Sequence, residues 1–245
     1  GRLSRQADQF NSLQEKLIKQ FSKIAQHYDI NSMHFACCKD TIEDRGTVQY
    51  LQDCALEAQL HSDFVFIEDI GISECERFTD LNNRPIETLF KLYPWEFMQR
   101  EEFAPFIMPA QVNWLEPLWK SILSNKALLP MLWKLFPNHP NLLPAYFENE
   151  LHLATEHKLI KKPFFSREGA NISLLDQGRT IIDGDGPYGQ EGFIYQSFHA
   201  LPTFGEKHTL IGSWLVDDQA AGISIREDKS LITQDLSRYL PHIIL

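Results

Sequence analysis

The sequence is poor in cysteine and has no long hydrophobic run. Its four cysteines among 245 residues form neither a C-x-x-C pair nor an evenly spaced framework, which argues against a disulfide scaffold or a zinc ribbon. The charge-free stretch at residues 103–115, which is rich in apolar residues, contains two prolines and is shorter than the roughly 18 residues that a membrane span needs. No charged segment followed by an apolar one opens the chain, so we expect a cytoplasmic protein without a membrane partner.

Basic residues are also scarce. The chain has 23 lysines and arginines against 33 acidic residues, a net charge of −10 and a pI near 5.4. A nucleic-acid partner is not expected, because it would need a basic groove. With 43% hydrophobic and 23% charged residues, the composition is that of a globular protein with one large or two small domains.

The first part of the chain predicts an α/β pattern. A helix should begin at Leu13, with Ser12 as its N-cap and Glu15 completing a capping box. Apolar strands at 33–38 and 64–67 flank a helix at 44–59, which is a βαβ unit.

The next segment predicts a further helix. Pro85 would lie in its first turn, Leu89 to Met98 would supply its apolar positions, and Pro94 would interrupt it.

The character changes after residue 115. A helix at 126–136 is strained by Pro130, and a proline- and asparagine-rich connection follows at 137–144. Short apolar runs then predict the strands of an antiparallel meander: 159–165, 171–175, 180–183, 193–198, 209–216, 221–226 and 231–233.

Several familiar motifs are weak or missing. Residues 184–189 fit G-x-G-x-x-G, but a strand follows where a dinucleotide fold needs a helix. These glycines are therefore interpreted as turn residues, with a flap over phosphates left open. Walker and G-x-S-x-G patterns are absent, the nine histidines are scattered, and vicinal Cys37 and Cys38 are expected to be buried thiols rather than redox groups.

The segment 161–171 carries the clearest chemistry. It places lysines at the end of a strand, then Arg167, Glu168 and a glycine at a turn, and then another strand. Cations and turn amides suit a triphosphate, and a carboxylate suits Mg²⁺. The alternative is an ordinary hairpin with a charged tip. Lys126 and Arg226 could converge on the same place.

Five blocks of sequence, at 90–96, 114–120, 124–130, 162–171 and 222–228, together resemble the glutathionylspermidine synthase family. More narrowly, they are similar to its bacterial stand-alone members that lack an amidase domain. The resemblance implies a permuted ATP-grasp ligase of the glutathione-synthetase type, with a mixed α/β fold. A βαβ domain like a pre-ATP-grasp domain at 1–115 would precede an antiparallel-sheet ATP-grasp domain at 116–245.

The resemblance also implies roles for individual residues. Arg167 and Arg226 would be catalytic, stabilising the transferring phosphoryl group and the acyl phosphate. Glu168 resembles a Mg²⁺-binding glutamate, and Glu96 aligns with an acid near the substrates, although it could equally be a plain surface residue. The residues expected to hold ATP are Lys126, Lys162, Glu168, Gly169, Gln196, Ser197, Phe198, His199, Leu231, Ile232 and Thr233.

The expected function is therefore an ATP- and Mg²⁺-dependent carboxylate–amine ligase acting on a peptide-like acid such as glutathione and an amine such as spermidine. The alternatives are a degenerate ATP-grasp module that binds nucleotide or peptide without ligation, and a structural interaction domain. The family's main Mg²⁺ ligands lie in an upstream E-x-N-type motif that this sequence lacks. Because the chain also begins at Gly1, we expect it to be the C-terminal part of a longer ligase and to turn over poorly alone.

Overall fold

The computed structural model describes residues 7–234 and 236–244. Gly1, on which the expectation of a longer protein partly rests, lies outside these residues. Two compact units are present: among the described residues, one comprises 10–121 and 214–222, and the other comprises 7–9, 122–213, 223–234 and 236–244. The sequence predicts a division at 115/116, whereas the contacts divide the chain between Ser121 and Ile122.

The first unit is built on a parallel sheet. Its elements are α1 (Leu13–Tyr28), β1 (Ser32–Cys37), α2 (Ile42–Glu57), β2 (His61–Phe66), β3 (Gly71–Ile72), β4 (Phe78–Thr79), β5 (Thr88–Leu92), α3 (Trp95–Met98) and β6 (Asn113–Leu115), with short 3-10 helices at Ile67–Asp69, Ala104–Phe106 and Leu118–Lys120. The strands of the sheet run in the order β2-β1-β5-β6, and β3 pairs with β4 in a separate small ribbon. The predicted βαβ unit is confirmed, since β1 and β2 are parallel and α2 connects them.

Two apolar clusters cover the faces of this sheet. Phe35 on β1 is fully buried with Phe21 of α1 and Val48 of α2 on one side. Ala36, its neighbour in the strand, packs with Leu89 and Trp114 on the other. Successive side chains of a strand point to opposite faces, so β1 is buried on both sides, as expected for a parallel sheet.

The helix predicted from Pro85 to Met98 is wrong. Thr88–Leu92 forms β5, which is parallel to β1 and β6. Only the four residues Trp95–Met98 are helical, directly after Pro94. A continuous apolar run is compatible with either a helix or a strand buried on both faces, and periodicity alone does not separate them.

The capping box at the start of α1 is also wrong. Ser12 is the N-cap residue, but its side chain makes no capping hydrogen bond. Its hydroxyl instead donates to the carbonyl oxygen of Ala221 at 3.2 Å. A tertiary acceptor has therefore replaced the local one.

The second unit contains two sheets. Its elements are α4 (Ser121–Ser124), α5 (Leu128–Leu135), β7 (Ala145–Phe147), β8 (Lys158–Pro163), β9 (Ser173–Asp176), β10 (Arg179–Asp183), β11 (Phe193–Ser197), β12 (Thr203–Phe204), β13 (Lys207–Val216), β14 (Gln219–Asp228) and β15 (Arg238–Leu240), with a 3-10 helix at Glu148–Leu153. The strand orders of the two sheets are β10-β9-β8-β11-β7 and β12-β13-β14-β15. The ends of β13 and β14 within residues 214–222 belong to the first unit.

The antiparallel prediction is confirmed for the five-stranded sheet, although the strands form two sheets rather than one meander. The strand predicted at 231–233 is wrong, because these residues form a bend between β14 and β15. The backbone N–H of Ser230 donates to Asp228 Oδ1, and that of Ile232 donates to Ser230 Oγ. Side-chain oxygens thus accept hydrogen bonds from backbone N–H groups that, in a strand, would donate to a neighbouring strand.

Pro130 lies in the first turn of α5, where a missing N–H costs little because no helical acceptor is available there.

Within the described part of the chain, none of the helices has the length and apolarity to cross a membrane.

Candidate functional site

Lys162 is the best-defined residue of the predicted nucleotide site. It lies on β8 opposite Ile194 of β11, and its ammonium donates to Gln196 Oε1 at 2.8 Å. Burial lowers the pKa of Lys162, because a desolvated ammonium is less stable than a hydrated one. Gln196 is itself buried. The structure therefore brings two predicted ATP-binding residues into direct contact.

Lys126 is hydrogen-bonded to the segment that directly follows β8. Its backbone N–H donates to the carbonyl of Phe164 at 2.8 Å, and its Nζ donates to the carbonyl of Ser166 at 2.7 Å. Both acceptors lie just beyond β8, in the segment that leads to Arg167. The structure thus places Lys126 and the predicted phosphate turn side by side.

The turn after β8 meets the 231–233 bend. Gly169 has φ +76, and a Cβ there would lie 2.6 Å from the carbonyl oxygen of Thr233 and 3.0 Å from Ile232 Cγ2. Only glycine fits such a close approach at positive φ without strain. The turn is closed by the backbone N–H of Ala170, which donates to the Arg167 carbonyl at 2.9 Å. Glu168 is exposed in this turn, with φ 55.

Arg226 lies on β14, opposite Tyr239 of β15. Its guanidinium carbon is 4.9 Å from the centre of that ring, and its Nη2 donates to the Gln234 carbonyl at 3.1 Å. Arg226 is therefore held at the loop that carries Ile232 and Thr233.

Sequence reasoning missed the two residues that organise this loop. Asp228 Oδ2 accepts a hydrogen bond from Ser237 Oγ, and Ser237 Oγ in turn accepts from the Gln234 backbone N–H at 2.8 Å. The hydrogen bond from Ser237, followed by that from the Ser230 amide, lowers the pKa of Asp228. The run of short polar residues between Asp228 and Ser237 was the available signal, since Asp and Ser favour such loops.

The remaining predicted ATP residues are less concentrated. β11 ends at Ser197, whose N–H donates to the Pro144 carbonyl, while the N–H of Phe198 donates to the Lys158 carbonyl. His199 is exposed beyond the strand, and Leu231 is exposed in the bend.

Glu96 lies in the first unit, within α3, and is 4% exposed. The reading of Glu96 as a plain surface glutamate is therefore wrong. The preceding residue, Trp95, stacks against the Lys91 ammonium, which is 3.7 Å from the ring centre. α3 directly follows the carboxyl end of β5, and β5 and β2 lie on either side of β1. Ligands of parallel sheets commonly bind at the carboxyl ends of the strands where the strand order reverses.

Magnesium fits the second unit only in part. Glu168 offers one exposed carboxylate, and no group of three clustered acidic, histidine or cysteine ligands includes it among the described residues. Mg²⁺ commonly uses one or two protein carboxylates together with phosphate oxygens and water. Glu168 is compatible with that role as a single protein ligand.

The one such cluster in the described ranges is in the first unit, where Cys38, Asp40 and Glu68 place ligand atoms within 4.8 Å of one another. Burial, and then the negative charge of Glu68, raises the pKa of Cys38 to about 11. The Cys38 thiol thus stays protonated at neutral pH, which argues against the redox alternative.

The glycine motif at 184–189 lies between β10 and β11, so no helix follows it. Gly186 and Gly189 have φ values of 159 and 113. The interpretation as turn glycines with positive φ is confirmed for Gly186 and Gly189 but not for Gly184, and a dinucleotide-binding motif is not formed here.

Comparison with known proteins adds a family relationship. Residues 2–245 match the sequence profile described as glutathionylspermidine synthase preATP-grasp. A Haemophilus influenzae protein with the provisional name acid–amine ligase is 41% identical over 244 residues, covering 96% of this chain and 62% of the relative.

Two further relatives have more specific names. The trypanothione synthetase of Crithidia fasciculata is 36% identical over 126 residues, covering 50% of this chain and 19% of the relative. The bifunctional glutathionylspermidine synthetase/amidase of Escherichia coli is 26% identical over 239 residues, covering 87% of this chain and 38% of the relative. The chain thus spans less than two thirds of the length of each of these three relatives.

A solved structure shares the fold. The crystal structure of a Methylobacillus flagellatus protein, provisionally named a gamma-glutamylcysteine synthetase, superposes with a TM-score of 0.52 and covers 90% of this chain and 70% of its own. Its sequence identity is 12%, so the similarity concerns the fold alone. It supports the mixed α/β fold expected from the sequence.

Proposed function

This chain belongs to the glutathionylspermidine synthase preATP-grasp family, and on that premise we propose that it is the nucleotide-binding part of an ATP-dependent carboxylate–amine ligase. The proposal rests on one observation above all. The desolvated Lys162 ammonium touches Gln196, and Lys126 is fixed on the Ser166 carbonyl at the end of the same strand.

Two lysines near a strand end suit polyphosphate. In phosphoryl transfer the protein mainly positions the phosphates and neutralises their charge. Lys126 and Lys162 would contact ATP phosphates, and backbone N–H groups of the turn around Gly169 would cover them. The side-chain oxygen of Gln196 would hold the Lys162 ammonium in position until a phosphate oxygen of ATP takes its place as the hydrogen-bond acceptor.

The other predicted residues take roles around this centre. Arg167 and Arg226 would stabilise the transferring phosphoryl group, because a guanidinium matches phosphate oxygens geometrically. Glu168 would hold Mg²⁺, which neutralises phosphate charge when bound. The strand end at 196–199 and the bend at 231–233 would form the adenine side of the site.

The proposed reaction has two steps. A carboxylate oxygen of the acid substrate attacks the γ-phosphorus, forming an acyl phosphate as the bond to ADP breaks. The amine nitrogen then attacks the acyl carbon, phosphate leaves, and the nitrogen releases a proton. Relatives are named for glutathionylspermidine and trypanothione synthesis, so we propose a peptide-like acid such as glutathione and an amine such as spermidine. The buried carboxylate of Glu96 would then face one of these substrates.

A second candidate is a module that binds nucleotide without ligating. This candidate is favoured by the small number of potential metal ligands, since Glu168 belongs to no cluster of such ligands among the residues the structure describes. Such a module would bind Mg-ATP through the same lysines but would release no ADP.

ADP release by the protein distinguishes the ligase from the module that only binds nucleotide. With Mg-ATP, glutathione and spermidine present, we expect release that requires both the acid and the amine. It should fall at least a hundredfold in Lys162→Met and in Arg226→Met. Lys158→Met is the control, because Lys158 is exposed on the same strand and pairs loosely with Asp176 at 3.9 Å. Nucleotide binding without release in the wild type would favour the second candidate.

A further inference from the structure

A polar cavity lies on the opposite face of the five-stranded sheet from Lys162. Lys161 and Lys162 are neighbours on β8, so their side chains point to opposite faces. The cavity has a volume of about 320 Å³ and is lined by Lys161, Asn171, Ser173, Asp183, Gly184, Asp185 and Phe193. None of these residues belongs to the proposed nucleotide site.

Three of the lining side chains form a row across three strands. Lys161 on β8 lies directly opposite Ser173 on β9, and Ser173 lies directly opposite Asp183 on β10. Neighbouring strands are about 4.8 Å apart, so the Lys161 and Asp183 backbones are separated by roughly 10 Å. A cation and an anion thus stand at the two ends of the row, with a hydroxyl between them.

The two charged ends do not neutralise each other. Within residues 7–234 and 236–244, the Lys161 ammonium has no hydrogen bond or ion pair, and its nitrogen lies 4.1 Å from the centre of the Phe193 ring. At the other end, Asp183 Oδ1 accepts the Ser173 hydroxyl at 2.6 Å. The second carboxylate oxygen of Asp183 has no protein donor in the same ranges.

The glycine-rich loop forms a fixed wall of the cavity. Asn171 donates from Nδ2 to the Gly186 carbonyl at 2.9 Å and accepts at Oδ1 from the Tyr188 N–H at 2.7 Å. Gly184 lies so close to Ile172, the residue before β9, that a Cβ there would be 2.7 Å from the Ile172 carbonyl oxygen. The loop is therefore held against the sheet by its own contacts.

We propose that this cavity binds a small zwitterion, with its carboxylate at Lys161, its ammonium at Asp183 and its chain over the Phe193 ring. A molecule with both charges satisfies both ends of the row at once. An anion alone would leave Asp183 unmatched, and an amine alone would leave Lys161 unmatched. The class comprises amino acids and short peptides. The site is separate from the proposed nucleotide site, so it stands whether or not the ligase assignment holds.

Chemical-shift titration of the ¹⁵N-labelled chain tests the proposal. The probes are four zwitterions of increasing length, namely glycine, γ-aminobutyrate, L-glutamate and glycylglycine, with butyrate and n-butylammonium as analogues that carry one charge. We expect at least one zwitterion to shift the amide signals of residues 171–173 and 183–185, and both analogues to bind at least tenfold more weakly. Lys161→Met and Asp183→Asn should each weaken binding at least tenfold, whereas Lys158→Met should not.

Three results would overturn the assignment. One is the absence of specific shifts with all four zwitterions. Another is butyrate binding as tightly as the matching γ-aminobutyrate, with Asp183→Asn unchanged, which would make this an anion site. The third is an equal loss of binding in Lys158→Met. Dispersed amide spectra of the variants verify that each one is folded, and Mg-ATP binding by Asp183→Asn should equal that of the wild type.

Discussion

At the scale of single residues, the proposed site depends on the charge state of Lys162. Burial lowers its pKa below the ordinary value of 10.5, and a neutral amine would not neutralise phosphate. ATP affinity should therefore decline with rising pH, beginning below pH 10.5 and falling by up to about tenfold per pH unit once the proton is lost. Lys162→Arg keeps its charge at all these pH values. Competition binding between pH 7 and 10 checks the prediction, and an equal decline in Lys162→Arg would contradict it.

Asp80 is a residue whose role is structural. Burial opposes its ionisation, but hydrogen bonds from Arg84 and from the Asn82 N–H outweigh burial and lower its pKa from 3.8 to about 2. Because the folded-state pKa is depressed, the stabilisation is present above about pH 4 and is lost as the pH falls towards 2.

Asp80→Asn should consequently lower the free energy of unfolding by about 2 kcal/mol at pH 7. The variant should also show a flatter pH dependence between pH 4 and 2. Urea titration at a series of pH values measures both effects. Asp53→Asn, at an exposed helical position, is the control and should change stability by less than about 0.5 kcal/mol. Parallel pH profiles of wild type and Asp80→Asn would contradict the assignment.

At the scale of elements, the turn after β8 and the bend before β15 depend on each other. Gly169 and Gly178 have nearly equal φ values of +76 and +77, but nothing lies within 4 Å of a Cβ at Gly178. Gly178→Ala should therefore cost only the backbone strain of about 1 kcal/mol. Gly169→Ala should cost more, because its Cβ would collide with the Thr233 carbonyl.

Thermal unfolding and Mg-ATP binding of these two variants form a matched test. Only Gly169→Ala is expected to weaken ATP binding, since only that position contacts the 231–233 bend. Equal ATP affinities in the two variants would contradict the assignment of the 231–233 bend to the nucleotide site.

The same scale shows how far the sequence predicts the fold. The helices at 13–28 and 42–57 and the βαβ unit follow from hydrophobic periodicity, as do most strands of the five-stranded sheet. β5 was missed because a strand buried on both faces has no alternation to detect. The bend at 231–233 was missed because its backbone is held by the side chains of Asp228, Ser230 and Ser237, which periodicity does not register. In the site, residues close together in the chain, such as Arg167 and Gly169, could be assigned to one turn from the sequence. The contact of Lys162 with Gln196 could not, because it depends on the pairing of β8 with β11.

At the scale of the whole molecule, the chain is shorter than its relatives. It covers 62% of the Haemophilus influenzae protein and, in its described residues, supplies Glu168 as the one predicted metal ligand. Phosphoryl transfer needs its charge neutralised at several oxygens. We therefore expect Mg²⁺-dependent ATP binding by this chain to depend on Glu168, and Glu168→Gln should weaken Mg-ATP binding. An unchanged affinity in the variant would contradict this expectation.

The central claim is that the unit containing Lys126, Lys162 and Gln196 binds the ATP phosphates. Thermal unfolding of the chain with and without 10 mM Mg-ATP tests it most directly. Occupancy at about ten times Kd stabilises the native state by roughly 1.4 kcal/mol, which raises Tm by about 3 to 6 °C for a chain of this size. The account predicts this rise in the wild type and in Lys158→Met, and its loss in Lys162→Met. No rise in the wild type, or an equal rise in Lys162→Met, would contradict it.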